Sequence, residues 1–380
     1  MKWRETIARA LGFEARSLDA SWSAPNGAWG YVGGASPRAL ENLSAVLACT
    51  SAIASALASI PALTYARDAS GNRSEAPAHP MARLARSGAN ADMTFPDFME
   101  SWVASTLLCG NGLAEIERGP GGALTGLRFI PWSRVAVSEL RSGRLAYDVT
   151  DSKGRGRRLL QGEVMHLRDR TDDGLIGRSR LSRAADTVAA VQSANQFSAA
   201  FLENSAQPSG VIKSAATIAP DQMTQLREQF ESRFSGAKKA GRTLILDGGM
   251  EWSAAQISPE DAELLETRKF GVEEICRIFQ VPPPLVQDYS HNTFTNSETA
   301  GRWFAIFCLT PWARKIEAEF ARSVFATGSP FEIELDLSGF LRGDPKTRWD
   351  AHKIALETGV LDPDEVRHVE GWNPRKVAAA

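Results

Sequence analysis

The chain has 380 residues, of which 43% are hydrophobic and 23% are charged, and its formal net charge is −2. These proportions are those of ordinary globular protein, and the length is enough for two or three packed units. A generally basic nucleic-acid binder is excluded, so any DNA contact must be local or lie on the inner surface of an oligomer.

The N-terminal stretch is predicted to be an extended arm. Ser17 to Pro37 is rich in Gly, Ser and Ala, and it has no hydrophobic period. Trp22, Trp29 and Tyr31 in this stretch are too apolar for free solvent. Two interpretations stay open: the arm lies on a neighbouring molecule, or it packs on its own chain. Met1 to Gly12 lacks the apolar core and cleavage site of a signal peptide.

A mixed region of helices and strands is predicted next. An Ala/Ser-rich helix from Pro37 ends at Ile60, because Pro61 disfavours the α conformation of the residue before it. A second helix begins at a Thr94 and Asp97 capping pattern and stops at Gly110. Turn-separated apolar runs then predict an antiparallel meander with the strands Leu113–Glu117, Leu124–Ile130, Arg134–Ser138, Leu145–Thr150 and Val164–Leu167.

Two long helices are predicted to flank a small insertion. The first, Leu181 to Glu203, has an Ala-rich face that favours close packing against other helices. The insertion is a β-α-β unit with a strand from Val211 and a helix from Pro220. Its turn carries the basic residues Lys238, Lys239 and Arg242. The second long helix begins at the cap formed by Ser258, Pro259, Glu260 and Asp261.

Proline ends this second helix, because Pro282, Pro283 and Pro284 cannot continue it. A polar segment, Leu285 to Ser297, is followed by a long helix from Glu298 to Phe325 with an expected kink at Pro311. A half-buried strand with an acidic face, Phe331 to Leu337, comes next. Two helices close the chain, Lys346 to Glu357 and one opened by a capping box at Leu361 to Glu365.

Motifs for chemistry are missing from the sequence. It has no phosphate loop of the GxxxxGK[ST] type, no GxGxxG, no HExxH and no GxSxG. His166 lies in a predicted strand and is interpreted as a hydrogen-bonded structural residue. The cysteines are predicted to be small buried hydrophobic residues, not zinc ligands: Cys49, Cys109, Cys276 and Cys308. We therefore predict no catalytic residue, no metal and no cofactor.

The order of several short motifs resembles the portal proteins of tailed bacteriophages, in the siphophage-type branch also found in prophages and gene transfer agents. The resemblance runs from about Leu40 to Pro374. The motifs that carry it are Ile60-Pro61, His79-Pro80, Gly110-Asn111-Gly112, Val164-Met165-His166-Leu167, Gly174-Leu175-Ile176-Gly177, Pro208-Ser209-Gly210, Val281-Pro282-Pro283, Asn296-Ser297-Glu298, Leu309-Thr310-Pro311, and Gly359-Val360-Leu361 with Asp364-Glu365-Val366-Arg367.

This resemblance implies an α+β, mainly helical portal fold that assembles into a ring, usually of twelve subunits. The implied divisions are an N-terminal arm (1–37), an α+β wing (38–178), a first stem helix (179–207), a β-α-β clip (208–257), a second stem helix (258–284), a tunnel loop (285–297), a long kinked wing helix with a strand (298–340) and a helical crown (341–380).

The same resemblance implies the partners and the contact residues. Double-stranded DNA would pass through the ring without sequence-specific contacts. The clip would dock the terminase large subunit and later the head-tail adaptor, and the major capsid protein would surround the ring. The clip contacts are expected at Lys238, Lys239 and Arg242, and the DNA contacts at His291, Asn292, Thr293, Thr295 and Asn296. The expected location is the portal vertex of a virion assembled in the host cytoplasm.

Two other interpretations are kept. A metal-dependent nuclease or hydrolase could be built on the α+β region, although no clustered carboxylate spacing supports it. A different head-tail connector subunit would form a ring but would lack the β-α-β insertion between two long helices.

Overall fold

The structure is a computed structural model. It describes residues 20–24, 37–151, 153–204, 210–214, 250–254, 259–287, 294–325, 328–341, 345–370, 372 and 375. All structural statements below concern these ranges. Within them the fold is α+β, as predicted.

The strands are short and lie mainly in the first half of the chain. They are β1 Ala20–Ala24, β2 Ala62–Arg67, β3 Arg73–Glu75, β4 Asn111–Arg118, β5 Leu124–Ile130, β6 Val135–Leu140, β7 Leu145–Thr150, β8 Gly156–Leu160, β9 Val164–Arg168, β10 Gly210–Ser214, β11 Met250–Ala254 and β12 Phe331–Leu335.

The two longest helices in the described ranges, Ala185–Asn204 and Pro259–Phe279, follow the strand-rich region. In chain order the helices are α1 Pro37–Leu40, α2 Ser44–Ser59, α3 Pro80–Ser87, α4 Phe95–Cys109, α5 Arg180–Arg183, α6 Ala185–Asn204, α7 Pro259–Phe279, α8 Phe294–Trp303, α9 Thr310–Ser323, α10 Ser338–Leu341, α11 Pro345–Glu357 and α12 Pro363–Val369. The predicted helix from Pro37 to Ile60 is thus divided into α1 and α2.

Helix α4 has the ends that its sequence predicts. The Thr94 side chain accepts a hydrogen bond from the Asp97 backbone N–H, and the Asp97 carboxylate accepts one from the Thr94 N–H. Gly110 closes the helix in the left-handed conformation, with φ of 82°, which a side chain at that position would disfavour. Its buried face includes Phe98, Trp102 and Leu107.

The strands after α4 form two sheets instead of the predicted single meander. One has the order β5-β4-β9 and the other the order β1-β6-β7-β8. Strand β9 returns to the free edge of β4, where Leu113 pairs with His166. Strand β4 is buried along Asn111–Ala114 and lies between β5 and β9 as the central strand of its sheet. Strand β8 was not predicted, because its sequence begins with exposed Gly156 and Arg157.

Part of the predicted arm packs on its own chain. Strand β1 pairs antiparallel with β6, and Trp22 lies opposite Glu139. This pairing gives the four-stranded sheet its outer strand. For residues 20–24 the structure therefore answers the question that the sequence left open.

The predicted acidic strand pairs with a strand from the first fifth of the chain. Strand β12 pairs with β2, and β2 pairs with β3. Ile333 and Leu335 are buried, as the alternating pattern predicts. Glu332 on the other face lies 3.0 Å from the Arg67 guanidinium and 2.8 Å from that of Arg73. Arginines of the neighbouring strands therefore neutralise the acidic face.

The largest hydrophobic cluster joins α2 and α4 to the later helices. Trp102 stacks on Phe98, with ring centroids 5.7 Å apart, and meets Phe320 of α9 edge-on at 6.0 Å. Trp312 and Phe279 are fully buried in the same cluster. The wing-like α+β part and the helical part consequently share one core.

The long helical run differs from its prediction. It begins at Phe294 instead of Glu298, and a π-helical turn, Phe304–Leu309, stands where the sequence predicts a regular helix leading to a kink at Pro311. The Thr310 N–H donates to the Ala305 carbonyl, and the Thr310 hydroxyl donates to the same oxygen at 2.8 Å. Because Pro311 has no N–H, the wider turn accommodates a hydrogen-bond pattern that a regular α-helix would break there.

No helix in the described part of the chain has both the length and the hydropathy that crossing a membrane requires.

Candidate functional site

Two long helices, α6 and α7, lie against each other within one chain. A Cβ atom added to Gly271 of α7 would be 3.2 Å from a methyl carbon of Val191 of α6. The lack of a side chain at Gly271 therefore allows the close approach. The strands β10 and β11 lie between these helices in sequence and pair antiparallel, with Ile212 opposite Trp252. The helix predicted between these two strands lies outside the described residues.

The base of the two helices is held by Arg180 of α5. Its guanidinium donates to the Phe279 carbonyl at the end of α7, at 3.0 Å. It also lies 3.4 Å from the Asp169 carboxylate and 5.4 Å from the centre of the Trp312 ring. A single charged side chain thus ties α5, α7, α9 and the end of β9 together, so movement of one long helix would disturb the others.

A second cation strengthens the positive potential at this junction. The Lys315 ammonium donates to the Arg168 carbonyl at 3.3 Å. Burial lowers the pKa of Lys315; Asp169 opposes this shift, whereas Arg180 and Arg168 reinforce it. The junction is consequently a place where charges are held at fixed positions by backbone carbonyls.

A buried polar network fixes the strands beside the junction. His166 Nδ1 lies 2.9 Å from the Tyr147 hydroxyl, and Nε2 lies 2.9 Å from Asn111 Oδ1. Asn111 also accepts from the Gly177 N–H and donates to the Gly177 carbonyl, both at 2.8 Å. Burial lowers the pKa of His166 well below its usual range, and Arg168 adds to the effect. The structural interpretation of His166 is therefore confirmed.

Helix α7 ends in a way that opens a groove. Gln280 adopts a positive φ of 60°, and the Val281 N–H donates back to the Cys276 carbonyl at 3.0 Å, which is the pattern of a Schellman C-cap. The prolines that follow run into a 3₁₀ turn, Pro283–Val286. This turn and the start of the long helical run face each other across an apolar groove of about 650 Å³.

The groove has aromatic side chains on one wall. Trp303 and Phe307 line it from the long helical run, with ring centroids 4.5 Å apart. The opposite wall carries Glu273 and Arg277 of α7, together with Pro282 to Pro284. The Arg277 guanidinium pairs with Glu273 at 3.2 Å and also with Glu274. The positive charge of Arg277 is thus neutralised by neighbouring carboxylates.

The predicted contact residues are only partly within the described ranges. His291, Asn292 and Thr293 lie outside them, as do Lys238, Lys239 and Arg242. Thr295 and Asn296 are in the first turn of α8 and not in a loop, because that helix begins four residues earlier than predicted. The sequence prediction missed the groove, because α7, the proline turn and the long helical run form it only when the folded chain brings them together.

The cysteines behave as small apolar residues. Cys49, Cys276 and Cys308 are buried, and all four are free thiols. The sulfurs of Cys49 and Cys276 lie 3.9 Å apart between α2 and α7. Burial raises the pKa of Cys109 and of Cys308 to about 11, which keeps both thiols protonated. Among the described residues, no three His, Cys, Asp or Glu side chains come together as a metal site.

Solved structures with a similar fold include a chain of a virion and a crystallised portal protein. A chain in the virion of a native gene transfer agent particle is 25% identical and superimposes with a TM-score of 0.64, over 98% of this chain and 99% of that one. A portal protein of the HK97 family from Corynebacterium diphtheriae, 17% identical, covers 81% of this chain and 97% of its own, with a TM-score of 0.57. The fold is therefore that of portal proteins.

Curated relatives agree with the solved structures. The probable portal protein of Streptomyces phage phiC31 is 31% identical over 73% of this chain and 64% of its own length. The portal protein of Enterobacteria phage HK97 is 28% identical over 93% of this chain and 85% of its own length. The phage portal protein family model matches residues 44–371. The chain belongs to the phage portal protein family.

Proposed function

We propose that copies of this chain form a closed ring at one vertex of a capsid and that double-stranded DNA passes through the ring during packaging and ejection. The observation that carries this proposal is the similarity to a gene transfer agent virion chain over 98% of the length. A ring of twelve is favoured, since a chain of the same fold occurs in a neck computed with C12 symmetry. The proposal needs no catalytic residue, cofactor or metal.

The parts of the subunit have separate proposed roles. The α+β half acts as the wing, helices α6 and α7 as the stem, and the region of β10 and β11 as the clip. The contact between Val191 and Gly271 supports the stem assignment, because it packs the two long helices closely against each other. The Arg180 junction then connects stem and wing within each subunit. Helices α11 and α12 form the proposed crown, and the major capsid protein surrounds the ring.

DNA contacts are proposed for the short segment between Gln287 and α8. His291, Asn292 and Thr293 are polar without being strongly basic, so they would let phosphates slide instead of holding them. Thr295 and Asn296 are now placed at the beginning of a helix. Free backbone N–H groups at a helix start favour a phosphate without reading sequence, which suits a conduit.

Partner contacts are proposed for the clip. Lys238, Lys239 and Arg242 form a compact basic cluster in sequence, and we expect it to face an acidic surface of the terminase large subunit or the head-tail adaptor. Replacing Lys238 and Lys239 by Glu should leave rings intact and block packaging or tail joining. Particles of this variant that package and infect normally would contradict the assignment.

The ring itself is tested by electron microscopy of the purified chain and of assembled particles. A ring with a central hole is expected, with DNA density on its axis in filled particles. A chain that is monomeric in both preparations would contradict the proposal. A nuclease assay with Mg²⁺ and Mn²⁺ separates the catalytic alternative, since a conduit should leave DNA intact at every metal concentration.

A further inference from the structure

An apolar patch extends the groove between α7 and the long helical run. Trp303, Ile306 and Phe307 are spaced so that they share one side of the run, and they are 59%, 45% and 52% exposed. Phe270 of α7 is 57% exposed. The centre of its ring lies 5.6 Å from the Arg277 guanidinium carbon. Trp303 and Phe307 line the groove together with Pro282 to Pro284, and Phe270 lies beside it, against the Arg277 side chain that also lines the groove.

The size of this patch requires an explanation. With roughly 200 Å² for a whole aromatic side chain, half exposure of Trp303, Phe307 and Phe270 leaves about 300 Å² of aromatic surface in water. Ile306 and the prolines add to it. The largest apolar patch of an ordinary monomer is about 300–600 Å² and is commonly functional. One partner in a standard interface contributes about 800 Å² with an apolar centre and a polar rim, and this patch has the size and composition of such a centre.

Charge argues against DNA as the occupant. The charged side chains that line the groove are Glu273 and Arg277, which pair with each other, and Arg277 also pairs with Glu274 nearby. The lining therefore has no excess of positive charge, which a phosphodiester backbone needs for binding. A protein surface with apolar side chains fits the groove better.

We propose that the groove lined by Trp303 and Phe307 is filled by a second copy of this chain, the adjacent subunit of the ring. This inference rests on the proposed function. Subunits related by cyclic symmetry above two-fold meet through two different surfaces, so a concave apolar patch on one copy is matched by another surface of the next. Trp303 is its energetic centre, because large aromatic residues in pockets carry a disproportionate share of binding energy.

The test is the assembly state of Trp303→Arg, with Ala321→Arg as the matched control. Ala321 is exposed on α9, so the control adds the same charge to the same helical run away from the groove. Native mass spectrometry of wild type and control should show rings, and Trp303→Arg should reduce the ring fraction at least tenfold with an unchanged circular dichroism spectrum. Trp303→Ser, which adds no charge, is the second variant if the first one folds poorly.

Co-expression gives a sharper readout. A variant that lacks the groove still has the surface that fits into a neighbour's groove. It should therefore bind one end of an incomplete ring and prevent the next subunit from binding. A minority of Trp303→Arg chains should then deplete closed rings of wild-type chains, and Ala321→Arg should not. Rings of the Trp303 variants at wild-type yield would overturn the inference and leave the proposed function standing. A wild-type chain that forms no ring, even in particles, would overturn both.

Discussion

At the scale of single residues, Gly112 shows how tightly β4 lies on α4. A Cβ atom on this residue would be 2.3 Å from the Thr106 hydroxyl and 2.5 Å from the Trp102 carbonyl. Neither neighbour can give way easily, since the Thr106 hydroxyl donates to that same carbonyl at 2.8 Å and both residues are fully buried. Space, and not backbone conformation, therefore restricts this position to glycine.

Gly112→Ala should destabilise the protein by about 1–3 kcal/mol, the usual cost of overpacking a rigid core. The measurement is the free energy of unfolding from urea titration, or the shift in melting temperature if unfolding is irreversible. Gly301→Ala is the control, because a Cβ there meets nothing within 4 Å and alanine favours the helix by up to about 1 kcal/mol. Equal stability of Gly112→Ala and wild type would show that β4 can move away from α4.

His166 gives a prediction about pH. Burial lowers its pKa well below the ordinary 6.5, with Arg168 and Arg322 adding to the shift. Below about pH 6.5, His166 therefore binds a proton in the unfolded chain but stays neutral in the folded chain. The stabilisation from neutral His166 is complete above pH 6.5 and is lost as the pH falls towards the folded pKa, at up to about 1.4 kcal/mol per pH unit.

His166→Gln should accordingly show a shallower loss of stability between pH 6.5 and 5 than wild type. Its stability at pH 7.5 should be lower by about 1–3 kcal/mol, because glutamine cannot satisfy both Tyr147 and Asn111. His79→Gln is the comparison, since burial lowers the pKa of His79 too, although that side chain is mostly outside the core. Parallel pH profiles for His166→Gln and wild type would mean that this histidine is not the titrating group.

At the scale of secondary-structure elements, the start of α4 depends on one hydroxyl. The Thr94 oxygen accepts from the Asp97 N–H at 3.2 Å, and it has no substitute in an alanine. Thr94→Ala should cost about 1 kcal/mol of unfolding free energy, the usual value of an N-cap. Ser55→Ala is the control: its hydroxyl donates to the Ser51 carbonyl on the exposed face of α2, and loss of that bond in mid-helix should be neutral. Equal effects of the two variants would mean that the cap is dispensable.

Elements with local causes are the ones that the sequence predicts well. The Thr94 cap and the Gly110 stop of α4 involve residues a few positions apart, so their pattern is visible in the chain itself. The alternation in β12 is local too, and its burial followed the prediction. The same holds for the end of α7, where consecutive prolines exclude a continuing helix.

Strand pairings and turns with distant causes were missed, although strand β9 itself was predicted. Strand β9 pairs with β4 across more than fifty residues, and no local feature distinguishes that partner from β8. The π turn before Pro311 also depends on tertiary packing, because it places Phe304, Cys308 and Leu309 in the core at once. The groove beside Trp303 is formed jointly by α7, the proline turn and the long helical run, so helical periodicity alone could not predict it. Thr295 and Asn296 were predicted to lie in a loop, but helix α8 begins four residues before the predicted start and includes both.

At the scale of the whole molecule, function would come from how a fixed body presents a short polar segment. The Arg180 junction and the shared core hold helix α7 and the α+β part together. The segment leaves after the 3₁₀ turn at Pro283–Val286 and returns at Phe294. Under the proposed function, substitutions in this segment would change its contact with DNA without altering the described core.

Lys substitution of both Asn292 and Thr293 should slow DNA translocation. Each subunit would gain two cations, and in a ring every copy would add phosphate contacts that hold the DNA. The slowing should weaken as salt rises, since counterion release drives these contacts. The measurement is the length of packaged DNA per particle, at two salt concentrations, with ring formation verified by electron microscopy.

Deleting His291 to Thr293 tests the same segment in the opposite direction. The deletion leaves Pro283–Val286 and α8 in place, so rings should form while DNA is packaged or retained less completely. Ala321→Lys is the control for added charge outside the segment, and it should package normally. Normal DNA content in both the lysine variant and the deletion would show that the segment does not touch DNA. Loss of the ring in the deletion would instead assign the segment to assembly, beside the groove at Trp303 whose two sides it connects.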